Sequence, residues 1–359
     1  MKKVFILVIA LVAVATIVSA QDENEIFTVE KVIKHLPVIS QGNTGTCWSF
    51  ATTSFLESEI IRKGFAETDL SEMYFVYFGY LNKAKKYLMY QGNNNFSQGG
   101  QAHDVFDVLR LNGMATYEAF PGEKVDGKYK HGNLVKDLKT EVDGLNKKGD
   151  DFDVENLKAF EEILENQIGK LPKKIKTEDG KISPVDFAGN FNINPDDYVE
   201  ISSYSHHPYY KPFVLEVPDN WAHGLYYNVP IDELMEIMYY SINKGYTVCW
   251  DGDTSEKTFI HKKGKADLPE KQTGKADQEL RQETFNNRTT TDDHLMHIVG
   301  LTKDSKGRSC FYTKNSWGAE SNSYGGYLHM TEDYVRLKTI AILVHKDAIP
   351  ENIKQKLNF

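Results

Sequence analysis

Gln41-Gly42-Asn43-Thr44-Gly45-Thr46-Cys47-Trp48-Ser49-Phe50-Ala51 joins a Gly/Thr/Asn-rich turn to the start of a helical pattern. Apolar Phe50, Ala51, Phe55, Ile60 and Ile61 recur at helical spacing, which predicts a helix from Cys47 to about Lys63 with Gly64 as its stop. A thiol at the first turn of a helix meets the positive end of the helix dipole, which favours thiolate over thiol. A thiolate that attacks a carbonyl also needs hydrogen-bond donors for the oxyanion that forms. The Cys47 backbone N–H is one candidate, and the side-chain amide of Gln41, across the turn, is a second.

Two further segments supply the partners such a sulfur requires. Thr291-Asp292-Asp293-His294-Leu295-Met296-His297-Ile298-Val299-Gly300 carries two imidazoles, and Lys314-Asn315-Ser316-Trp317-Gly318 carries an amide and an indole. A cysteine nucleophile needs an imidazole to hold its proton, and the imidazole needs an acceptor to fix its orientation. Asn315 can be that acceptor, with Trp317 shielding the pair from water. The interval between His294 and Asn315 fits adjacent antiparallel strands joined by a turn at Asp304–Arg308.

Outward from these segments, Lys2 and Lys3 precede the apolar run Val4 to Val18, with small residues at Val18-Ser19-Ala20. That is the layout of a signal peptide over residues 1–20, so export to a periplasmic or extracellular space is expected, without a stable membrane anchor after cleavage. The chain has 42 Lys plus Arg against 51 Asp plus Glu and no basic block, so neither nucleic acid nor an anionic membrane is an expected partner. Three cysteines, Cys47, Cys249 and Cys310, leave at least one thiol unpaired; the last two stand in strand-like apolar contexts and read as small buried hydrophobes.

Helical patterns follow Cys47: Leu70–Tyr90, then His103–Leu111 after the loop Asn93 to Gly100. From about 123 to 200 the texture turns to Lys, Asp and Glu, including the helical Val154–Ile168, and reads as a solvated insertion. Strand patterns then dominate: Val199–Tyr204, Phe213–Val217, Tyr246–Trp250, His294–Leu301, Phe311–Lys314, Tyr327–Met330 and Ile340–Val344. The charged Lys262–Asn287 reads as a surface excursion. Helices first and strands afterwards predict an α+β class with two packed lobes, a helical lobe over about 41–200, a β-rich lobe over about 201–349 and a short tail at 350–359.

The Gln-x5-Cys-Trp, Asp-His and Asn-Ser-Trp-Gly elements, in this order, resemble the active-site signature of the papain family of cysteine peptidases. The resemblance spans most of residues 21–359 and implies one two-lobed domain, with a helical left lobe, an antiparallel β-barrel-like right lobe and the active-site cleft between them. It implies peptide hydrolysis through a thioester on Cys47, with His294 as base and acid, Asn315 as its orienter, Gln41 at the oxyanion, and no metal or organic cofactor. The family's catalytic histidine follows Asp or Thr and stands six residues before Gly or Ala, as His294 does; His297, an odd number of residues on, faces the other side of the strand. Ser97-Gln98-Gly99-Gly100 matches the loop whose backbone, at Gly99 and Gly100, hydrogen-bonds peptide substrates; Trp317 lines the same cleft.

Leu70-Ser71-Glu72-Met73-Tyr74, Gly99-Gly100-Gln101, His206-His207-Pro208 and Asn228-Val229-Pro230-Ile231 resemble the bleomycin hydrolase and aminopeptidase C branch. That branch contains hexameric aminopeptidases whose C-terminal arm offers its carboxylate to the substrate's amine. Here Thr44 stands where secreted relatives carry a bridged cysteine, and Pro350 to Phe359 starts like the arm and stops early. Three readings follow: an exopeptidase trimming peptide amino termini, an endopeptidase or broad thiol hydrolase with an open cleft, and a non-catalytic assembly protein on the same fold. His206-His207 reads as a structural turn with no ligand partner at metal spacing, Asp251-Gly252-Asp253-Thr254 as a strand-end turn, and Asn287-Arg288-Thr289 as a glycosylation acceptor only in a host with that machinery.

Overall fold

The computed structural model describes residues 26–148, 157–272, 274 and 276–359; the signal-peptide reading of residues 1–20 lies outside them. A first strand, β1 (Thr28–Val32), leads into a helical region: α1 (Cys47–Arg62), α2 (Glu72–Met89), α3 (Ala102–Asn112), α4 (Gly132–Lys148) and α5 (Lys158–Gln167). The hairpin β2 (Ile175–Thr177) and β3 (Gly180–Ile182) and helix α6 (Pro184–Gly189) close it. Then come β4 (Tyr198–Ser202), β5 (Pro212–Val214), β6 (Leu225–Asn228), α7 (Ile231–Lys244), β7 (Val248–Gly252), β8 (Phe259–Ile260) and β9 (Lys265–Ala266). Last are α8 (Gln278–Asn286), β10 (His294–Lys303), β11 (Ser309–Lys314), β12 (Tyr327–Thr331), α9 (Glu332–Lys338), β13 (Thr339–His345) and α10 (Glu351–Leu357).

One large, mostly antiparallel sheet runs β5-β6-β4-β13-β7-β10-β11-β12-β9-β8, with β1 also on β10. β10 is its spine. Its first half, His294–Ile298, pairs with β7, and Gly300–Lys303 pairs with β1 on the same side, while β11 takes the other edge. Neighbours on both edges and packing on both faces leave His294 to Thr302 wholly buried. Gly300 is required where β1 crosses, because a Cβ there would run into the Lys31 carbonyl. The turn after β10 is closed by Asp304, whose carboxylate accepts from the Lys306 and Arg308 backbones and from the Arg308 guanidinium.

Residues 47–60 of α1 are all buried, so this helix is a core element and not an amphipathic surface one. Helix α2 starts where the Ser71 hydroxyl accepts from the Tyr74 N–H, and α3 starts on a reciprocal Gln101–Asp104 cap. The sheet meets the helical core through Cys249, Leu295 and Leu343, which join the cluster around Phe55, Phe75 and Phe106. A second cluster fills the β-rich side, between the sheet and helices α7, α9 and α10. Helix α1 and strand β10 therefore begin side by side at the boundary of the two cores.

Two expectations need correction. The charged stretch at 123–200 is not simply solvated: Leu134, Leu138, Val142 and Leu145 of α4 and Phe160 and Leu164 of α5 enter the same core as α1. Lysine and glutamate cover only the outer faces. Nor is 262–287 a pure surface excursion, since β9 pairs with β12, Leu268 and Ala276 are buried, and the Arg281 guanidinium lies in the interior, donating to the Ser203 and Arg336 carbonyls.

Candidate active site

The turn before α1 is held by its own side chains. Gln41 donates from Nε2 to the Thr44 carbonyl (2.7 Å), and the Thr44 hydroxyl donates to the Gln41 carbonyl (2.9 Å) while meeting Thr46 Oγ1 (2.7 Å). Hydroxyls thus brace the turn in front of the helix. Gln41 Oε1 accepts from Ser316 Oγ (2.5 Å), so the amide is gripped at its oxygen and at one N–H, leaving its second N–H to donate. Thr46 caps α1 without a side-chain hydrogen bond, and Cys47 is the helix's first residue.

His294, the first residue of β10, donates from Nε2 to Asn315 Oδ1 (2.7 Å). That bond fixes the tautomer: the proton sits on Nε2 and the Nδ1 lone pair is available. Asn315 is held in turn, its Oδ1 also accepting from the Ser316 N–H (2.7 Å) and its Nδ2 donating to His261 Nδ1 (3.2 Å). His261 Nε2 donates to Ser321 Oγ (2.8 Å), which completes a chain from the imidazole to a distant turn. Trp317 tilts over the pair, 5.0 Å from the His294 ring and 4.6 Å from that of His261, and remains 38% exposed as a lid. Cys47 Sγ takes a hydrogen bond from the backbone of Leu295, the residue after His294, which sets the thiol beside the start of β10. His297 points elsewhere: its Nδ1 meets Ser54 Oγ (2.9 Å) and its ring packs edge-on against Phe55.

Gly99 and Gly100 lie against this centre through Trp48, whose indole donates to the Gln98 carbonyl (3.0 Å). A Cβ on Gly100 would crowd Trp48 and the Asp104 carboxylate, and one on Gly99 would overlap the Asp219 carboxylate. The buried Lys83 ammonium pins the loop from beneath through the Ser97 and Gly99 carbonyls.

Charge in the site departs from expectation. The helix N-terminus should favour a thiolate, yet burial pushes the Cys47 thiol up to about 12, helped by Asp251, Asp292 and Asp219. Burial likewise pushes His294 down to about 4. At neutral pH the resting pair is thiol and neutral imidazole, a combination in which Nδ1 can accept the sulfur's proton as bond formation begins. All three cysteines are free and buried.

His261 was missed in the sequence, where it stands in a charged stretch far from either motif. The His206-His207 turn does have a partner that spacing did not reveal: Glu216 accepts from His206 Nε2 (3.2 Å) and His207 Nε2 (2.7 Å), which ties the turn by hydrogen bonds. Asp253, in the strand-end turn after β7, pairs with the buried Lys338 ammonium (3.0 Å).

Comparison with known proteins agrees with this architecture. The model of the papain family cysteine proteases matches residues 27–188, and that of the Peptidase C1-like family matches residues 171–359. Aminopeptidase G of Lactobacillus delbrueckii subsp. lactis is 22% identical over 371 residues, covering 89% of this chain and 83% of the relative. Bleomycin hydrolase of Gallus gallus is 22% identical over 401 residues, covering 93% and 85%. The crystal structure of PepW from Lactobacillus rhamnosis HN001 superposes with a TM-score of 0.74 at 17% identity, over 92% of this chain and 84% of that one. With over half its length matched by one family model and most of the rest by its sister, the chain belongs to the Peptidase C1-like family of papain-type cysteine peptidases, on the branch of bleomycin hydrolase and aminopeptidase C.

Proposed function

We propose that this cysteine peptidase is an exopeptidase of aminopeptidase type that works through Cys47, His294, Asn315 and Gln41 on peptides outside the cytoplasm. The observation that carries the catalytic part is the His294–Asn315 bond of 2.7 Å beside a thiol that opens a buried helix. Cys47 Sγ attacks the peptide carbonyl carbon while its proton passes to His294 Nδ1, and the carbonyl electron pair moves onto oxygen. The Cys47 N–H and the second amide N–H of Gln41 stabilise that oxyanion. The C–N bond then breaks as His294 protonates the leaving amine, which gives a thioester. A water molecule, deprotonated by the same imidazole, attacks the thioester and releases the acid and the thiol.

Cys47→Ala is expected to lower peptide hydrolysis at least about 1,000-fold with the fold intact; full activity in that variant would remove Cys47 from the reaction. The aminopeptidase part draws on the relatives, two of which carry that activity or branch name. It is tested by pairing free-amine with N-acetylated peptides: equal turnover of the two would exclude an amine-requiring enzyme. A second reading, an endopeptidase with an open cleft, is favoured by the position of residues 351–359. These pack as α10 on the β-rich core, with the Phe359 ring on Tyr227, and make no described contact with Cys47 or His294. For export, the first twenty residues are the only support; detection of a chain beginning near Gln21 outside the cytoplasm is the test.

A further inference from the structure

His206 and His207 stand where the chain leaves β4, and the tight turn over 205–207 brings both side chains to one side. Consecutive side chains of a strand diverge; here the two ring centroids lie 4.4 Å apart. The turn is fixed from within. The buried Asn228 amide donates to the carbonyls of Tyr204 (2.7 Å) and His207 (2.8 Å) and accepts from the Tyr204 N–H (2.9 Å). The His206 ring stacks on that of Phe285, and the His207 ring packs on that of Phe213, 4.5 Å between centroids. Glu216 comes from the segment after β5. Its neighbours Leu215 and Val217 are buried, so its own side chain turns outward, towards the two rings.

Both Nε2 atoms meet this one carboxylate, His206 at Oε2 (3.2 Å) and His207 at Oε1 (2.7 Å). Among the described residues it is the one group of three histidine, cysteine or carboxylate side chains whose ligand atoms all lie within 4.8 Å of one another. A single imidazole would be enough to tie the turn to Glu216 by a hydrogen bond. Two imidazole nitrogens and a carboxylate oxygen are the donor set of a borderline transition metal such as zinc, whereas calcium and magnesium take oxygen ligands. The spacing fits as well, since a tetrahedral ion with bonds of about 2.1 Å sets its donors about 3.4 Å apart. A metal-bound imidazole also holds its other N–H on an acceptor. Gln282 Oε1, which accepts from the Ser205 N–H (2.6 Å), stands 3.2 Å from His206 Nδ1; for a ring without metal, Gln282 Nε2 donates to Nδ1 instead (3.0 Å). The amide serves both states without moving. The side chains of His206, His207 and Glu216 are 32%, 26% and 54% exposed, so a further ligand position opens to water.

We propose that His206, His207 and Glu216 form a binding site for one divalent transition-metal ion of zinc type, with water completing its coordination. The ion clamps the turn after β4 to the segment after β5. That segment runs on to Asp219, whose carboxylate accepts from Asn95 and Ser97 in the loop leading to Gly99.

The test uses the full chain carrying Cys47→Ala, so that the active-site sulfur takes no metal, and without a histidine tag. Calorimetric titration with zinc chloride should give one ion per chain, and cobalt(II) should give the visible bands of a four-coordinate site, which zinc abolishes. The thermal midpoint should rise by about 2–5 °C at a hundredfold excess of zinc over its Kd, and magnesium should leave it in place. His207→Ala and Glu216→Gln should each weaken zinc binding at least about 10-fold, and Gln282→Ala, which touches only the far ring nitrogen, about 10-fold. None of these three residues is buried, so metal-free midpoints equal to that of the parent show that the variants fold. Failure to bind one zinc per chain at millimolar concentration, or binding undiminished in both His207→Ala and Glu216→Gln, would overturn the site. Peptide turnover enters none of these readouts, so the site stands or falls apart from the role of Cys47.

Discussion

At Cys47 two effects oppose each other: the first turn of α1 favours a thiolate and burial disfavours it. A helix terminus contributes about 0.3–2 kcal/mol, whereas raising the thiol from 9.0 to about 12 corresponds to about 4 kcal/mol. Burial wins, so the proton leaves the sulfur only as His294 Nδ1 takes it. The acid limit then belongs to the imidazole. Above about pH 4 His294 is neutral and can accept; below it the ring is charged and cannot. The expected outcome is a kcat/KM profile that falls with decreasing pH through about 4, measured on an uncharged, N-blocked peptide so that substrate titration does not intrude. A limb near 6.5 would instead mean an imidazole exposed to water. His261 acts one step back, through Asn315. In His261→Ala the amide loses its second anchor, and kcat should drop about 2- to 10-fold, the worth of one hydrogen bond, with KM and the acid limb little changed. His261→Gln, which can still accept from Asn315 Nδ2, should recover part of the loss.

At the scale of elements, α4 is the clearest case of a pattern hidden by its own surface. Leu134, Leu138, Val142 and Leu145 form a complete buried stripe, but the helix is otherwise covered in Lys, Asp and Glu, and composition outweighs periodicity when the stretch is read as a whole. Leu138→Ala is therefore expected to cost about 2–5 kcal/mol in a urea or guanidinium titration, where a solvated insertion would give nearly nothing. The strands were easier: Tyr198–Ser202, His294–Lys303 and Thr339–His345 are dominated by apolar and β-branched residues, as suits strands paired on both edges. The short motifs at Cys47, His294 and Asn315 were legible because a nucleophile, a base and an orienter each demand a particular side chain. Their supports were not. His261 reaches Asn315 only because β8 and β9 fold back beside β12, and Asp251 reaches Asp292 only through the pairing of β7 with β10. Contacts of that kind have no local signature.

For the molecule as a whole, the question is what α10 does. If residues 351–359 served the cleft, their removal from it would change which peptides are cut. Their packing argues for another role: Ile353 and Leu357 are buried in the β-rich core with Val344 and Ile349, Lys356 pairs with Glu233 (2.6 Å), and the Phe359 ring rests on Tyr227, 4.7 Å between centroids. The helix thus fastens the start of α7 and the β6 edge to the end of the chain. Leu357→Ala should lower stability by about 2–4 kcal/mol, as for other buried leucines, and shift the thermal midpoint downward. Phe359→Ala, which removes a half-exposed ring from Tyr227 and from the Lys346 ammonium, should cost less. Neither should alter the ratio of free-amine to N-acetylated turnover, because α10 makes no described contact with Cys47 or His294. A change in that ratio on trimming Phe359, with the thermal midpoint unmoved, would place amine recognition at the terminal segment.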